Sequence, residues 1–206
     1  MKVAFGFKAH SGWAALVVLT KLNGELHVID RQRVELVGEE WMKQPYHAAE
    51  HLKPQLARNR VKRGIESARS TAAKQMRNLI KHERERNNEV VASAVLIAEP
   101  MPNWSTDEIL AVHFRMHKAE GVLFRDVLVK ATNESGIKLV AIPEKSLQAI
   151  AEKQLGLTSP AISSTIAALG KSVGPPWGKD QKESAIAAWI GLETASASNS
   201  KPTGRE

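Results

Sequence analysis

The chain has 206 residues, a formal net charge of +7 at pH 7 and no cysteine. This length is enough to bury a sheet beneath helices, and the missing thiol excludes a disulfide scaffold, a zinc knuckle and a cysteine nucleophile. The positive charge favours partners that carry phosphate. The longest apolar stretches are shorter than the ~20 residues of a membrane span, and no signal peptide opens the chain, so we expect a cytoplasmic protein without a membrane segment.

Three strands are predicted at the start of the chain. They cover residues 3–7, 13–20 and 26–36, which are rich in apolar and β-branched side chains. Asn23-Gly24, between the last two, supplies the two residues with positive φ that a tight hairpin turn requires. We therefore predict an antiparallel meander.

A long amphipathic helix is predicted next. Pro45 can occupy the first turn of a helix, and Pro54 breaks or restarts it. Over residues 56–79, apolar side chains recur every three to five positions and leave basic residues on the other face. These cations either contact nucleic acid or form a solvated helix face. The candidates for nucleic-acid contact are Arg58, Arg60, Lys62, Arg63, Arg69, Lys74 and Arg77, together with Lys179 farther along the chain.

The middle of the chain predicts a strand and a second helix. Residues 90–98 form an apolar run that two following prolines bring to an end. Ser105 and Glu108 have the spacing of a capping box, which predicts a helix running towards Asn133.

The last third of the chain is mostly helical. The predicted elements are a strand over 137–142 and helices over 144–155, from Ser159-Pro160 onward, and over 180–192. The end of the chain has no apolar periodicity. We therefore predict a single domain over 1–193 and a disordered tail over 194–206.

Three segments resemble the RuvC-type Holliday-junction resolvases. They are Gly6-Phe7-Lys8-Ala9-His10-Ser11-Gly12-Trp13-Ala14, where that family has Gly-Ile-Asp-Pro-Gly; residues 117–143; and Gly178-Lys179-Asp180-Gln181-Lys182-Glu183-Ser184-Ala185-Ile186-Ala187-Ala188-Trp189, where that family has Asp-Ala-Ala-Asp-Ala-Leu-Ala. The resemblance implies an α/β fold of the ribonuclease H-like type: a mixed sheet with an antiparallel three-strand meander followed by parallel strands, flanked by helices. It also implies a symmetric homodimer, a nucleic-acid partner with DNA favoured over RNA, and a close approach of Gly121 to the sheet.

The resemblance further implies a site built from acids. Resolvases of this kind use four carboxylates to hold two divalent cations that promote phosphodiester hydrolysis. The resemblance places Lys8 at the first Asp, Glu99 at the end of the middle strand, and Asp180 with Glu183 on the last helix. If the protein is an active nuclease, these three acids would be catalytic and would hold Mg²⁺ or Mn²⁺.

Lys8 reverses the charge at one of these four positions. An ammonium group compensates carboxylates that a metal would otherwise neutralise, and it repels a second cation. We hypothesise an internal salt-bridge network in place of a two-metal centre, and a nucleic-acid-binding protein whose nuclease activity is degenerate or lost. In the opposite hypothesis Lys8 points away and another acid, Asp30 or Glu35, takes its place.

Other interpretations of these residues stay open. Asp180-x-x-Glu183 is also an ordinary capping box, and Glu99 can be a polar strand end before a turn. Two alternative functions follow: an active metal-dependent endonuclease or junction resolvase that uses Glu99, Asp180 and Glu183, or a non-catalytic structural protein that binds another protein.

Two weaker patterns involve histidine and tryptophan. His47 with His51, and His113 with His117, have the i, i+4 spacing of a helical metal-binding pair. Neither pair has the His-Glu-x-x-His pattern, so solvated or core-edge histidines are the favoured interpretation. Trp177 lies in a proline-rich loop, where it either stacks against a base or packs over the loop.

Overall fold

A computed structural model describes residues 1–199, and the side chains of residues 1–197. Five strands form one sheet in the order β3-β2-β1-β4-β5. They are β1 (Lys2–His10), β2 (Trp13–Leu22), β3 (Glu25–Glu35), β4 (Glu89–Ile97) and β5 (Leu139–Pro143). The first three strands pair antiparallel, whereas β4 is parallel to β1 and β5 is parallel to β4. The predicted meander followed by parallel strands is confirmed, with Asn23 and Gly24 at φ 51° and 87° in the hairpin turn.

Helices cover both faces of this sheet. They are α1 (Pro54–Glu85), α2 (Thr106–Leu110), α3 (His113–Glu134), α4 (Leu147–Leu155), α5 (Ser159–Val173) and α6 (Lys179–Asn199). Helices α1 and α3 pack on one face, and α4, α5 and α6 pack on the other. None of the helices in the described part of the chain has both the length and the apolarity needed to span a bilayer.

Strand β1 lies at the centre of the sheet and is buried on both faces. Its side chains alternate between the two cores: Phe5 and Phe7 pack with α1 and α3, whereas Ala4 packs with α6. The two-residue period puts Gly6 and Lys8 on the same face as Ala4. Lys8 is thus a buried charged residue on the strand face that carries Ala4 and Gly6.

Gly6 allows the backbone of α6 to touch β1 directly. A Cβ atom built on Gly6 would overlap the carbonyl oxygen of Ser184 and lie 2.6 Å from the backbone nitrogen of Ala188. The Ser184 hydroxyl also donates a hydrogen bond of 3.2 Å to the carbonyl of Ala15 on β2. These contacts place the first turns of α6 against the end of β1, beside Lys8.

The loop that leads into α6 is held by one side chain of the sheet. The Arg31 guanidinium, on β3, donates hydrogen bonds to four consecutive carbonyl oxygens, those of Val173 (3.0 Å), Gly174 (2.6 Å), Pro175 (2.8 Å) and Pro176 (2.5 Å). Trp177 then packs against Gly170 of α5 and donates an Nε1 hydrogen bond of 3.0 Å to the carbonyl of Ile166. Of the two interpretations of Trp177, the structure shows packing.

The predicted second helix is two helices. The capping box at its start is confirmed, because the Ser105 hydroxyl accepts from the Glu108 amide and the Glu108 carboxylate accepts from the Ser105 amide. The helix nevertheless ends at Leu110. Val112 has an extended backbone (φ −139°, ψ 113°), and α3 begins after it.

Three other predicted features differ from the structure. The helix expected around Pro45 is two short 3₁₀ turns, Glu40–Lys43 and His47–Ala49. Helix α6 continues to Asn199, beyond the predicted tail boundary at residue 194, because Ala195 is still buried against the core. The rest of the predicted tail, 200–206, lies outside the described residues. A Cβ on Gly121 would meet nothing within 4 Å, so the close approach belongs to Gly6 and not to Gly121.

We expect Gly6→Ala to destabilise the protein by about 3 kcal/mol or more, since the added methyl group meets backbone atoms that cannot rotate away. Gly121→Ala is the matched control: it adds the same methyl group to open space within a helix and should leave stability unchanged or raise it by up to about 1 kcal/mol. Urea unfolding followed by circular dichroism measures both. Equal stabilities for the two variants would contradict the direct contact of α6 with β1.

Candidate functional site

A cleft of about 700 Å³ opens at one edge of the sheet, where β4 and β5 end and α6 begins. Its lining consists of Ile97, Ala98 and Glu99 after β4, Lys118, Gly121, Val122 and Arg125 of α3, Pro143, Glu144, Lys145 and Ser146 after β5, and Lys179 and Glu183 of α6. Ligands of open α/β sheets commonly bind beyond the carboxyl ends of the parallel strands. The position of the cleft therefore marks it as the candidate site.

Lys8 lies beside this cleft and contacts three carboxylates. Its side chain is 6% exposed. Its Nζ atom lies 3.3 Å from Glu144 Oε1 and 3.5 Å from Asp180 Oδ1, and it donates a hydrogen bond to Glu183 Oε2. The three acids come from the turn after β5 and from the first turns of α6. The structure thus contains a salt-bridge network around Lys8, with Glu144 in the place expected for Glu99.

The electrostatics of the network favour the charged forms of Lys8 and Glu144. Burial acts to lower the pKa of Lys8, but the hydrogen bond to Glu183 and the charges of Glu144 and Glu183 outweigh burial, so the pKa of Lys8 is raised. Burial acts to raise the pKa of Glu144, but the hydrogen bond and charge of Arg125, with the charge of Lys8, hold that pKa below its ordinary value.

Further cations surround the same acids. The Arg125 guanidinium lies 2.7 Å from Glu144 Oε2, and Lys179 Nζ lies 3.8 Å from Glu183 Oε1. His10 Nε2 lies 3.1 Å from Asp180 Oδ2, which is ion-pair distance without hydrogen-bond geometry. Each of the three acids therefore has Lys8 and at least one more basic group beside it.

Glu99 lines the cleft, and its partner among the described residues is Lys145 rather than Lys8. Its carboxylate is exposed and lies 2.8 Å from Lys145 Nζ. The hydrogen bond and the charge of Lys145 lower the pKa of Glu99. The structure thus brings Asp180 and Glu183 together at Lys8, and it keeps Glu99 on the rim with a cation of its own.

The capping interpretation of Asp180 and Glu183 does not describe this helix start. The side chain that reaches back to the start of α6 is Gln181, whose Oε1 accepts a hydrogen bond of 2.9 Å from the amide of Gly178. Asp180 and Glu183 point to Lys8 instead.

The two acids proposed as substitutes for the first Asp lie elsewhere. Asp30 accepts hydrogen bonds from the Arg31 amide and the Gln32 side chain, and Glu35 pairs with Arg33. The hypothesis that Lys8 points away while another acid replaces it is wrong, because Lys8 itself occupies the centre of the cluster.

The predicted basic residues are spread along α1. Arg58 to Arg77 cover about 29 Å at 1.5 Å per residue. Arg58 pairs with Asp107 (2.5 Å) and Lys62 with Glu66 (3.8 Å). The guanidinium groups of Arg60 and Arg63 lie 4.6 Å and 5.7 Å from the centre of the Trp41 ring.

Of the predicted set, the cations without an ion pair to another described residue are Arg60, Arg63, Arg69, Lys74 and Arg77. Lys179 is the member of the set that lines the cleft.

Sequence reasoning missed Glu144 and Arg125. Glu144 follows β5 directly, and Glu99 is the second residue after the end of β4. Two acids at the carboxyl ends of neighbouring parallel strands were the signal that could have found it. Arg125 gave no signal, since it is one of many basic residues on amphipathic helices.

No protein-family model and no curated protein matches this sequence. Solved structures do match. The structure of Thermus thermophilus RuvC in complex with a Holliday junction substrate has a TM-score of 0.52 and 9% sequence identity, covering 98% of this chain and 99% of that one. A second Thermus thermophilus RuvC structure has a TM-score of 0.51 and 11% identity, covering 97% and 99%. The fold is that of RuvC.

The donor set of this RuvC-like cleft does not fit the divalent cations that the resemblance implied. Mg²⁺ requires six oxygen ligands at about 2.0–2.1 Å in octahedral geometry. Here the ammonium of Lys8 lies between the carboxylates of Glu144, Asp180 and Glu183. Within residues 1–197, groups of three possible ligand atoms that converge within 4.8 Å occur elsewhere, and they include none of Glu99, Asp180 and Glu183.

We expect Lys8→Met to lower the free energy of unfolding by about 2 kcal/mol at pH 7, since it leaves three carboxylates without their shared cation. The loss should be greatest between about pH 5 and pH 10. Because the pKa of Lys8 is raised in the folded protein, Lys8 contributes fully to stability at pH values below its ordinary pKa, and this contribution is lost at higher pH. Because the pKa of Glu144 is lowered in the folded protein, Glu144 contributes fully to stability at pH values above its ordinary pKa, and this contribution is lost as the pH falls.

Urea unfolding of the wild type and of Lys8→Met from pH 3.5 to pH 8 measures the difference in their free energies of unfolding. Lys21→Met is the control, because Lys21 forms an exposed pair with Glu193 and should matter little at any pH. A difference between wild type and Lys8→Met that stays constant down to pH 3.5 would contradict the network.

Proposed function

We propose that this protein is a RuvC-like nucleic-acid-binding protein in which a salt-bridge network has replaced the metal-dependent nuclease site. One observation carries the proposal: the ammonium of Lys8 contacts Glu144, Asp180 and Glu183 at the edge of the sheet where ligands of such folds bind. The protein would then retain the recognition function of its fold and lack its hydrolytic chemistry.

The charge balance of the cleft supports the loss of hydrolysis. In two-metal hydrolysis, a surplus of negative charge holds the cations that activate water and stabilise the leaving oxygen. The cleft and the network beside it contain four acidic and five basic side chains: Glu99, Glu144, Asp180 and Glu183 against Lys8, Lys118, Arg125, Lys145 and Lys179. A divalent cation would therefore meet no net negative charge there, and Lys8 would repel it directly.

The distribution of the other cations supports binding to a polyanion. The chain carries a net charge of +7. At 100° per residue, Arg63, Lys74 and Arg77 lie on the side of α1 opposite its buried stripe. Cations that have no ion-pair partner are available to replace the counterions of phosphates. DNA is favoured over RNA because the similar Thermus thermophilus RuvC is described in complex with a Holliday junction.

The first measurement is the salt dependence of binding to labelled four-way-junction DNA, duplex DNA and RNA by fluorescence anisotropy. We expect Lys74→Gln/Arg77→Gln to weaken DNA binding by more than about tenfold near 0.1 M salt. The slope of log K against log salt concentration is negative, and its magnitude should fall by about 1.8, because each phosphate that the protein no longer neutralises lowers that magnitude by about 0.9.

The matched control is Lys153→Gln/Lys171→Gln, which removes the same charge from α4 and α5 on the other face of the sheet. It should change the slope much less. Equal effects of the two double variants would assign the binding to net charge alone, and the absence of salt-dependent binding by wild type would support the alternative of a protein partner.

Cleavage is measured on the same substrates with Mg²⁺, Mn²⁺ or a chelator. We expect wild type to yield no product above the chelator control, because the cation that metal chemistry needs is excluded by Lys8. Metal-dependent cleavage that disappears in Glu99→Gln and Asp180→Asn would instead establish the active endonuclease.

The homodimer implied by the resemblance remains a prediction, which sedimentation equilibrium tests directly.

A further inference from the structure

Three histidines from two separate segments converge near the start of α3. His113 and His117 are one turn apart on α3, and His47 comes from the 3₁₀ turn His47–Ala49. One ring nitrogen of each lies within 4.8 Å of the other two, and the ring centres are 4.5–5.1 Å apart. The structure thus completes the His113–His117 pair with a third imidazole, and His51 is not part of the group.

A buried carboxylate orients His47 towards this group. Glu120, 3% exposed, accepts a hydrogen bond of 2.7 Å from His47 Nδ1 and hydrogen bonds from the backbone amides of Tyr46 (3.0 Å) and His47 (3.1 Å). Because Nδ1 donates to the carboxylate, the lone pair of the neutral ring is on Nε2. His47 Nε2 is buried and has no hydrogen-bond partner among the described residues.

One of the other two rings is arranged in a similar way. His113 Nδ1 lies 3.5 Å from the Glu50 carboxylate, and His113 Nε2 lies 3.1 Å from His117 Nε2. Metal-binding histidines commonly donate their second ring nitrogen to a carboxylate, which fixes the tautomer and raises the basicity of the ligand. Two of the three rings have such a carboxylate beside the nitrogen that points away from the group.

We propose that His47, His113 and His117 form a binding site for Zn²⁺ or a chemically similar divalent transition-metal ion. Imidazole ligands select such ions, whereas Mg²⁺ and Ca²⁺ prefer oxygen. Tetrahedral coordination with Zn–N distances of about 2.0–2.1 Å would place ligand nitrogens about 3.3 Å apart, close to the 3.1 Å between His113 and His117. Because His113 and His117 are exposed, a solvent molecule can occupy the fourth position.

The consequence of the site is a link between two parts of the molecule. The segment between β3 and α1 has two short 3₁₀ turns and no longer element. A metal held by His47, His113 and His117 would fasten this segment to the first two turns of α3. The binding free energy would add to the stability of the folded state, because the unfolded chain does not hold the three rings together.

The experiment is a titration of the chelator-treated full chain with ZnCl₂ by isothermal calorimetry. We expect one Zn²⁺ per chain and affinity at least 100-fold lower in His113→Ala and in His117→Ala. Glu120→Gln, which keeps the size of the side chain and removes its charge, should weaken binding 10- to 100-fold. Co²⁺ should give the intense visible absorption of a tetrahedral site in wild type and not in the variants.

Two controls keep the result specific. His51→Ala removes an exposed histidine from the same segment and should bind Zn²⁺ as wild type does. His82→Ala removes a ligand from the other group of possible ligands, Asp30, His82 and Glu83, and should also bind normally. Circular dichroism of the metal-free variants checks that they fold, which the exposure of His113 and His117 leads us to expect.

Three results would overturn the proposal. They are wild-type affinity no higher than that of a His113→Ala/His117→Ala double variant, an equal loss in His51→Ala, or a loss confined to His82→Ala. A rise of the wild-type melting temperature with Zn²⁺ that the double variant lacks would support it, since a ligand that binds only the folded state stabilises that state.

Discussion

The direct contact between the backbone of α6 and β1 is the constraint on which the rest of the cleft depends. Gly6 has no side chain to hold the two elements apart, so Ser184 and Ala188 sit on the strand itself. Since Asp180 and Glu183 precede Ser184 by about one turn or less, this contact decides how far their carboxylates are from Lys8. If α6 were displaced by the width of a methyl group, Lys8 would be buried without its partners. A buried unpaired ammonium lowers the free energy of unfolding far more than an exposed lysine does.

The molecule contains two clusters of ionisable side chains with opposite properties. Around Lys8, cations and carboxylates alternate, and each acid has a basic neighbour within the protein. Around His47, a buried ring nitrogen with a lone pair lacks a partner among the described residues. A cluster in which each acid has a basic neighbour has no need of an ion, whereas a cluster of imidazoles with an unpartnered lone pair gains from one. The metal chemistry implied by the RuvC-like fold and the metal chemistry suggested by the side chains therefore lie at different places.

The strands, the long basic helix and the importance of Lys8 could be predicted because they depend on local patterns or on a short motif. Glu144 was assigned to a helix start, since nothing in the residues around it shows that β5 ends beside β1 and α6. The i, i+4 spacing compares histidines within one helix, so it does not show that His47 reaches α3 from a different segment. Helix α6 extends past its expected end because burial of Ala195 outweighs the polar composition of the segment. In each case the deciding contact joins residues that are far apart in the chain.

The hydrogen bonds of Arg31 order the loop before α6, and this order affects how a ligand binds in the cleft. A loop with two adjacent prolines and no regular structure would ordinarily add conformational freedom at the start of a helix. Its four carbonyl groups are instead bound to one planar guanidinium on β3, so that loop and sheet form one rigid unit. The loop leads into α6, which supplies Lys179 and Glu183 to the cleft. The entropy of ordering the loop is lost during folding, so a ligand that enters later finds the start of α6 in place, and its affinity is not reduced by the cost of arranging it.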